Sequence, residues 1–385
     1  MSRLKLGRED LPVGRQLPWS IYDRRGVMLL RQGSVIASDR QRETLLMRGA
    51  YRDSDATLAQ AAAARKAAGR SRVPEARSEA RNPLERLYPS FSRLHTAFFK
   101  VEAGDPEGLA GLVKLARHLD ELFAEAPDAM VGAVHVVHEY DYVLCHPVHC
   151  ALLCLLLGRD LGFDRERRES LVLAALAQNF GMFRLQERLQ RQTSSLSEAQ
   201  RAELRAHPDE SARMLEAVGC RDEHCLGIIR QHHERLDGGG YPRALSGDEL
   251  LVEAQLVSLS DRYGAMISAR PYAEARQPRE VLQEFYVAAG GEAQPELVQR
   301  LIAALGVYPP GSFVSLDSGE EAVVLRRGER SHQPWVGIYI GADGIAFRRP
   351  RICQCGDGLQ VRAIARPNPA IAMELGDLWH MDPKA

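Results

Sequence analysis

One stretch decides how this chain is organised, His232-His233-Glu234-Arg235-Leu236-Asp237-Gly238-Gly239-Gly240-Tyr241-Pro242. The residues before it, which include Leu226, Ile228 and Ile229, have the apolar spacing of a buried helix. The glycine run and the proline cannot continue that helix. We therefore expect two imidazoles at the C-terminal end of a helix, beside a loop that lets the backbone approach a ligand closely.

The two adjacent histidines leave a choice open. Consecutive helical positions point about 100° apart. The rings of His232 and His233 could therefore serve two different metal ions, or one metal ion and one substrate.

Length and composition indicate an ordinary globular protein. The 385 residues suffice for two or three domains, and 45% of them are hydrophobic, 26% are charged, and the net charge is -1. This balance offers no general argument for binding nucleic acid or a membrane surface.

The cysteines and the apolar runs predict a cytoplasmic protein without a membrane span. Seven cysteines without a regular framework indicate a reducing compartment. The pairs Cys150/Cys154 and Cys353/Cys355 do not have zinc-motif spacing, and we interpret them as packing residues. The N-terminus has no apolar signal core, and the longest apolar run, residues 151–157, is much shorter than the roughly 20 residues of a span.

The periodicity changes along the chain and predicts a mainly α protein. Residues 83–305 show helical spacing throughout, whereas short apolar runs between glycine and aspartate turns follow them. We predict a helical bundle with a small α+β domain before it and a small β barrel or sandwich after it. The predicted segments are a domain at 1–55, an Ala/Arg-rich linker at 56–82, the bundle at 83–305, the β domain at 306–366 and a tail at 367–385.

Four places in the helical region carry residues that bind metals. They are His146, His207 followed by Pro208, the His232-His233 pair, and Asp261. Each alone is more simply a packing or surface residue, although Asp261 stands among apolar residues, where a carboxylate needs a partner. Pro208 is suited to the first turn of a new helix.

Taken in order, these residues resemble the HD-GYP family, a branch of the HD-domain metal phosphohydrolases whose usual substrate is cyclic di-GMP. The resemblance covers about residues 140–300, and it matches His232 to Pro242 position by position and extends to Ser268-Ala269-Arg270-Pro271-Tyr272. It implies an HD-domain-like helical bundle with a metal centre in its core. It also implies that His146, His207, His232, His233 and Asp261 are metal ligands.

The chemistry explains why such a family needs these residue types. Hydrolysis of a phosphodiester requires a hydroxide nucleophile and positive charge at the phosphoryl oxygens, which two metal ions about 3.5–4 Å apart supply. Imidazole and carboxylate ligands suit Fe, Mn or Zn. A carboxylate usually bridges the two ions.

The chain departs from the family pattern at the His-Asp pair that gives the family its name. Gln178 and Asn179 stand at these two positions, and the family's next lysine is replaced by Met182. A second basic position corresponds to Gln192, with Arg191 beside it. Because Asn179 lacks the bridging charge, we expect one divalent ion held by the remaining histidines, or none, rather than two ions.

Other histidines could compensate for the lost pair. His149 follows His146 by one helical turn on nearly the same face, and His135 and His138 have the same spacing. We favour packing or surface roles for all three.

The leading hypothesis is a degenerate HD-GYP protein that senses cyclic di-GMP or binds a partner. The resemblance associates its loop with substrate and with partners of the diguanylate cyclase type, and Arg270 is a candidate phosphate contact. The loop residues are Glu234, Asp237, Gly238, Gly240, Tyr241 and Pro242. One alternative is an active cyclic di-GMP phosphodiesterase with a mononuclear or rearranged centre. Another is an interaction module that binds no nucleotide.

Overall fold

The chain folds into two compact units, Met1–Glu79 and Ala80–Ala385. The computed structural model describes residues 3–13, 17, 19, 21–22, 28–30, 36, 42, 45–46, 50–53, 82–138, 140–270, 274–287, 291, 293–343, 346–356, 358–365 and 378–379. The predicted linker up to residue 81 lies outside these residues.

The first unit contains a small antiparallel sheet. Its strands pair in the order β1-β4-β2-β3. They are β1 (Arg3–Lys5), β2 (Ile21–Tyr22), β3 (Met28–Leu30) and β4 (Tyr51–Asp53). Buried apolar side chains, among them Leu11, Ile21 and Ile36, form its core.

The second unit is mainly helical, as the sequence predicted. Its helices are α1 (Pro83–Leu87), α2 (Pro89–Glu102), α3 (Glu107–Glu125), α4 (Pro127–Val136), α5 (Tyr142–Asp160), α6 (Arg165–Ala177), α7 (Phe183–Leu189), α8 (Glu198–Ala217), α9 (Glu223–Gln231), α10 (Val252–Ile267), α11 (Pro278–Val287) and α12 (Pro295–Leu305). Short 3-10 turns lie at Phe180–Met182 and Gly247–Glu249.

The sequence fixes several helix starts through capping residues. Ser197 and Gln200 form a capping box at α8, in which each side chain accepts the other residue's backbone N–H. The Asp222 carboxylate accepts the Cys225 N–H at the start of α9. Helix α9 therefore begins directly after its capping residue, and it ends directly before His232.

Helix α5 lies in the centre of the helical part. It packs against α6 and α10, and its buried residues run almost without interruption from Val143 to Gly158. A helix that is apolar on all sides is either a core helix or a membrane span. The helix is long and apolar enough for a span, but 89% of its most apolar window is buried inside the protein. It is therefore packed as a core helix.

The strands after α12 form one five-stranded antiparallel sheet, where the prediction had left a barrel or a sandwich open. The strand order is β8-β7-β6-β5-β9. The strands are β5 (Phe313–Leu316), β6 (Glu321–Arg326), β7 (Trp335–Ile340), β8 (Ala346–Gln354) and β9 (Val361–Ile364). The predicted fold class, a mainly α protein with a small sheet at each end, is confirmed.

The segment predicted as an appended tail contributes to the core at its two described residues. Leu378 and Trp379 are 0% and 2% exposed. The Trp379 indole N–H donates to the Leu325 carbonyl at 2.8 Å. A methyl group at Gly132 would lie 2.3 Å from the indole ring, so this glycine makes room for it. Trp379 thereby ties the sheet to helix α4.

Candidate metal centre

Three histidines meet at one point in the helical part of the chain. His207 lies on α8, His232 caps the C-terminus of α9, and His233 follows it. Each offers a ligand atom within 4.8 Å of the other two. The rings of His232 and His233 are 4.2 Å apart, so both belong to the same cluster.

Pro208 orients the His207 ring. It lies inside α8 rather than in the first turn of a new helix, so that interpretation of the sequence was wrong. A proline has no N–H to donate to the carbonyl four residues earlier, which here belongs to Leu204. That carbonyl accepts a hydrogen bond from His207 Nδ1 at 2.5 Å instead. The Nδ1 atom therefore carries the proton, and Nε2 keeps its lone pair.

The end of α9 orients His232 in the same way. The last carbonyls of a helix have no intrahelical donor, and the Ile229 carbonyl accepts from His232 Nδ1 at 2.7 Å. The Nε2 atoms of His207 and His232 then face each other at 3.1 Å with a lone pair on each. Such an arrangement is repulsive unless a cation or a proton joins it. A backbone carbonyl at one ring nitrogen is the usual support of a metal-binding imidazole, so the triple-histidine cluster fits a divalent metal.

Burial keeps these imidazoles neutral. Burial, and to a smaller extent the neighbouring His232, lower the pKa of His207 to about 3. Burial also lowers the pKa of His232 and, more strongly, that of His233. Because the neutral imidazole is the metal-binding form, protons do not compete for the site at neutral pH.

The other two predicted ligands, His146 and Asp261, lie with Cys150 in a second group. Their side chains are already hydrogen-bonded to each other. His146 Nε2 lies 2.8 Å from Asp261 Oδ1. Burial would raise the pKa of Asp261, but the His146 hydrogen bond and the surrounding imidazoles outweigh it and hold the pKa below its usual range. Cys150 Sγ lies 3.7 Å from His146 Nε2, and burial raises the pKa of this thiol well above its usual value. The group therefore pairs internally.

Gln178 and Asn179 stand beside this second group as neutral amides. Helix α6 ends at Ala177, so both lie in the following turn. Ser211 stabilises that turn by donating to the Gln178 carbonyl and accepting from the Gly181 N–H. Gln178 Nε2 points to Asp261 Oδ1 at 3.4 Å, which places an N–H donor against the carboxylate.

The Asn179 amide is buried without a hydrogen bond to any described residue. Its side chain is 3% exposed, and neither its oxygen nor its nitrogen has a hydrogen-bond partner among the described residues. An amide oxygen carries no charge to balance two dications. The residues present therefore fit one metal ion at the triple-histidine cluster and do not fit a bridged pair of ions.

The loop after His233 is held by the carboxylate of Glu234. This side chain is 1% exposed and accepts the backbone N–H groups of Arg243 at 2.7 Å and Leu245 at 3.0 Å. Gly240 is required here, because a methyl group would lie 2.5 Å from the Glu234 Cα atom. The Tyr241–Pro242 peptide is cis. The buried Glu234 carboxylate thus stabilises the loop through its backbone N–H groups.

Replacement of Glu234 with alanine is expected to loosen this loop. Two hydrogen bonds to a buried charged acceptor are lost, and we expect unfolding to become easier by about 2–4 kcal/mol. Urea denaturation measures that loss. Hydrogen exchange should accelerate at the Arg243 and Leu245 amides and stay unchanged at α5. Equal acceleration at α5 would contradict a local role.

Asp237 and Gly238 shape the outer turn of the loop. Asp237 forms an ion pair with Arg235 at 2.8 Å and accepts the Gly239 N–H at 2.9 Å. The arginine hydrogen bond lowers the pKa of this exposed carboxylate. Gly238 has a φ of 73°, a conformation that favours glycine. Neither residue reaches the histidines, so both support the turn.

Tyr241 closes the loop over the triple-histidine cluster. Its ring stacks on His233 with 4.7 Å between the centroids and 23° between the planes. Burial raises the pKa of its phenol above the usual range, which the nearby Arg205 opposes. The predicted loop residue thus contacts a predicted ligand directly.

The predicted phosphate contact, Arg270, lies on the side of the second group. Its guanidinium is 5.6 Å from the centre of the Tyr142 ring, and that ring stacks on His146. One terminal nitrogen donates to the Ala265 carbonyl at 2.8 Å.

Met182 and Gln192, the two other departures from the family pattern, both contact neighbouring side chains. Met182 packs in a small apolar cluster with Leu185 and Leu189. Gln192 exchanges hydrogen bonds with Gln200 at the start of α8, and Arg191 directly precedes it. Neither residue supplies a cation to the triple-histidine cluster.

The other histidines stay outside the two candidate metal groups. His149 is 1% exposed, and neither ring nitrogen has a hydrogen-bond partner among the described residues. Burial lowers its pKa well below the usual value. His135 Nδ1 donates to the Val131 carbonyl, and its Nε2 accepts from the Tyr263 hydroxyl. His138 Nε2 lies 3.2 Å from the His135 carbonyl. The part of the chain that is described thus gives His149 no place among the ligands.

Sequence reasoning missed three residues of this region. Cys150 contacts His146 four residues away, which helical spacing could have indicated. Ser211 holds the turn at Gln178, and Arg205 lies over Tyr241. The last two contacts join distant segments, and no local pattern marks them.

The comparisons with known proteins agree with this geometry. Residues 124–291 match the family model described as HD domain, so this part of the chain is an HD domain. A cyclic di-GMP phosphodiesterase of Pseudomonas aeruginosa is 28% identical over 269 residues, which are 68% of this chain and 64% of that protein. A 3'3'-cGAMP-specific phosphodiesterase of Vibrio cholerae is 29% identical over 154 residues, 40% of this chain and 36% of that protein. Within the HD-domain proteins, the chain is similar to members of the HD-GYP branch.

A solved structure supports the fold. The HDG"Y"P protein from Bdellovibrio bacteriovorus has a TM-score of 0.52 at 18% identity, over 79% of this chain and 99% of that one. The matched regions cover less than two thirds of the length of the two phosphodiesterases.

Proposed function

We propose that this chain is a regulatory HD-GYP protein that binds cyclic di-GMP at the triple-histidine cluster, with one divalent metal ion and without rapid hydrolysis. The observation that carries the proposal is the contrast between the two groups of ligands. The Nε2 lone pairs of His207 and His232 face each other, whereas Asp261 already pairs with His146 and Gln178.

The ligand follows from the chemistry of the cluster and from its relatives. A divalent ion bound there would act as a Lewis acid toward a phosphoryl oxygen. Tyr241, stacked on His233, offers an aromatic edge at the mouth of the cluster. Relatives that share the domain are phosphodiesterases of cyclic dinucleotides by name. A cyclic dinucleotide has both the phosphates and the flat bases that these groups suit.

Slow turnover follows from the missing half of the centre. A bridged metal pair clamps both the attacking and the leaving oxygen of a phosphodiester. With Gln178 and Asn179 in place of the His-Asp pair, no carboxylate among the described residues bridges the two groups. Partner proteins, including those of the diguanylate cyclase type, would then receive the signal through the loop that Glu234 holds.

Residual phosphodiesterase activity is the second candidate, and the triple-histidine cluster favours it. Three imidazoles are an established ligand set for a single catalytic metal ion. Helices α8 and α9 position all three without help from the missing pair. This candidate and the regulatory one therefore share the metal site and differ in turnover.

The experiment combines metal analysis, calorimetry and product analysis on the full chain. Protein purified aerobically and anaerobically is analysed for metal, titrated with cyclic di-GMP, and incubated with it before chromatography. We expect about one metal ion per chain, micromolar binding, and neither linear dinucleotide nor GMP as a product. Metal-dependent product formation would establish the enzyme instead. Absence of binding would favour a module that only contacts proteins.

A further inference from the structure

Arg205 lies at the mouth of the triple-histidine cluster. It is exposed on α8, two residues before His207. Its guanidinium carbon is 5.0 Å from the centre of the Tyr241 ring. Because Tyr241 stacks on His233, a continuous contact leads from the guanidinium to the candidate metal ligands.

The carboxylates around Arg205 are bound to other arginines. Arg205 itself has no ion pair and no hydrogen bond from its side chain within the described ranges. The neighbouring pairs are Glu203 with Arg188, Asp209 with Arg243, and Glu210 with Arg213. Arg205 is therefore a positive charge that the fold holds in place and leaves uncompensated.

The contact with Tyr241 positions the guanidinium without using its donors. A cation–π interaction acts through the ring face and consumes none of the five N–H groups. These groups form a planar fork that matches two phosphate oxygens. An arginine held over an aromatic ring beside a metal cluster is thus ready to bind an anion.

Three other positions that could have supplied a cation here do not do so. Met182, at the position of the family's lysine, is buried in an apolar cluster. Arg270 contacts Tyr142 on the side of His146, and Arg243 is paired with Asp209. Of these candidates among the described residues, Arg205 remains for charge recognition at the triple-histidine cluster.

We propose that Arg205, seated on Tyr241, is the phosphate-binding residue of the triple-histidine cluster. The ligand class is a phosphate mono- or diester, whose oxygens the guanidinium binds while the histidine cluster receives the same phosphate. This inference rests on the proposed function for the identity of the nucleotide. The phosphate-binding role of Arg205 does not otherwise depend on the proposed function, because a guanidinium group recognises any phosphate group.

The test compares four metal-loaded proteins in calorimetric titrations with cyclic di-GMP and, separately, with inorganic phosphate. They are wild type, Arg205→Gln, Arg205→Lys and Arg201→Gln. Arg201 is exposed on the same helix, one turn earlier, so its replacement makes the same change of net charge. Metal content is measured in all four, because Arg205 is not a metal ligand and should not alter it.

We expect Arg205→Gln to weaken both probes about tenfold, the usual loss for a charge-assisted hydrogen bond. Arg205→Lys should recover part of that loss, and Arg201→Gln should stay within about twofold of wild type. Metal content should be equal throughout. Equal affinities of Arg205→Gln and Arg201→Gln would overturn the inference, and so would a fall in metal content that accounts for the weaker binding.

The two probes separate this inference from the proposed function. If phosphate binds in an Arg205-dependent way and cyclic di-GMP does not bind, the phosphate site stands and the nucleotide assignment fails. If cyclic di-GMP binds equally to wild type and Arg205→Gln, the nucleotide assignment stands and the role of Arg205 fails. If neither probe binds to wild type, both are overturned.

Discussion

Replacement of His232 with alanine is expected to remove the metal ion from this protein. His232 Nε2 faces His207 Nε2 at 3.1 Å, and its ring lies 4.2 Å from that of His233. Loss of a supporting residue alone typically weakens metal binding by about 10–100-fold. Loss of a ligand from a set of three should weaken it by more than about 100-fold. Elemental analysis after gel filtration measures the effect.

The control for this variant is His224→Ala. His224 lies on the same helix, α9, but it is partly exposed and pairs with Glu253 at 3.2 Å. Its replacement should leave the metal content at the wild-type level. The thermal stabilisation that added metal gives to wild type should vanish in His232→Ala and persist in His224→Ala. Full metal occupancy in His232→Ala would place the ion at His146 and Asp261 instead.

The fold could be predicted from the sequence where local signals dominate. Capping residues such as Ser197 and Asp222 mark helix starts within the chain segment that forms each helix. The change from helical to alternating periodicity after residue 305 separated the bundle from the sheet. Burial of Trp379 against Gly132 could not be predicted in this way, because it joins residues about 250 positions apart.

The residues of the candidate site could be predicted from the sequence, but the hydrogen bonds between them could not. Spacing and residue type singled out His207, His232 and His233, and the structure brings them together. The hydrogen bond from His207 to the Leu204 carbonyl exists because Pro208 continues α8. The sequence pattern suggested the opposite, a helix start at this proline. Proline is common in first turns, and here the capping box at Ser197 had already begun the helix.

The contacts of the second group could not be predicted from the sequence. The family resemblance predicts that Gln178 and Asn179 stand at the positions of a His-Asp pair, but it does not show what their amides contact. In the structure Gln178 directs an N–H toward Asp261, and Asn179 is buried without a partner in the described part of the chain. An amide donor facing a carboxylate stabilises the metal-free form of this half. The loss therefore reaches beyond two missing ligands.

Restoring the pair, Gln178→His together with Asn179→Asp, is expected to raise metal occupancy from about one to about two ions per chain. Asparagine and aspartate have nearly the same shape, so the second change adds charge without altering the volume of the site. Without metal that charge is buried and unpaired, which costs several kcal/mol. The metal-free double variant should therefore unfold more easily than wild type.

Metal should reverse that loss in the double variant to a greater extent than in wild type. Binding to the folded state alone adds about 2.7 kcal/mol when the free ion is at 100 times its dissociation constant. The two single variants serve as controls. Asn179→Asp alone should lose stability without gaining a full second ion, and Gln178→His alone should change occupancy little because no carboxylate bridges the groups.

The outcome of this experiment distinguishes two explanations for the absence of a second metal ion. If occupancy and metal-dependent stabilisation both rise, the contacts of His146 and Asp261 rearrange once a cation is present, and the half-site has lost only its two ligands. If occupancy stays at one, the Gln178 to Asp261 contact is not the obstacle. Other neighbours would then exclude the second ion, among them Tyr142, which stacks on His146 with 4.8 Å between the ring centroids. Hydrolysis of cyclic di-GMP should follow occupancy, because a metal pair stabilises both oxygens of the displacement.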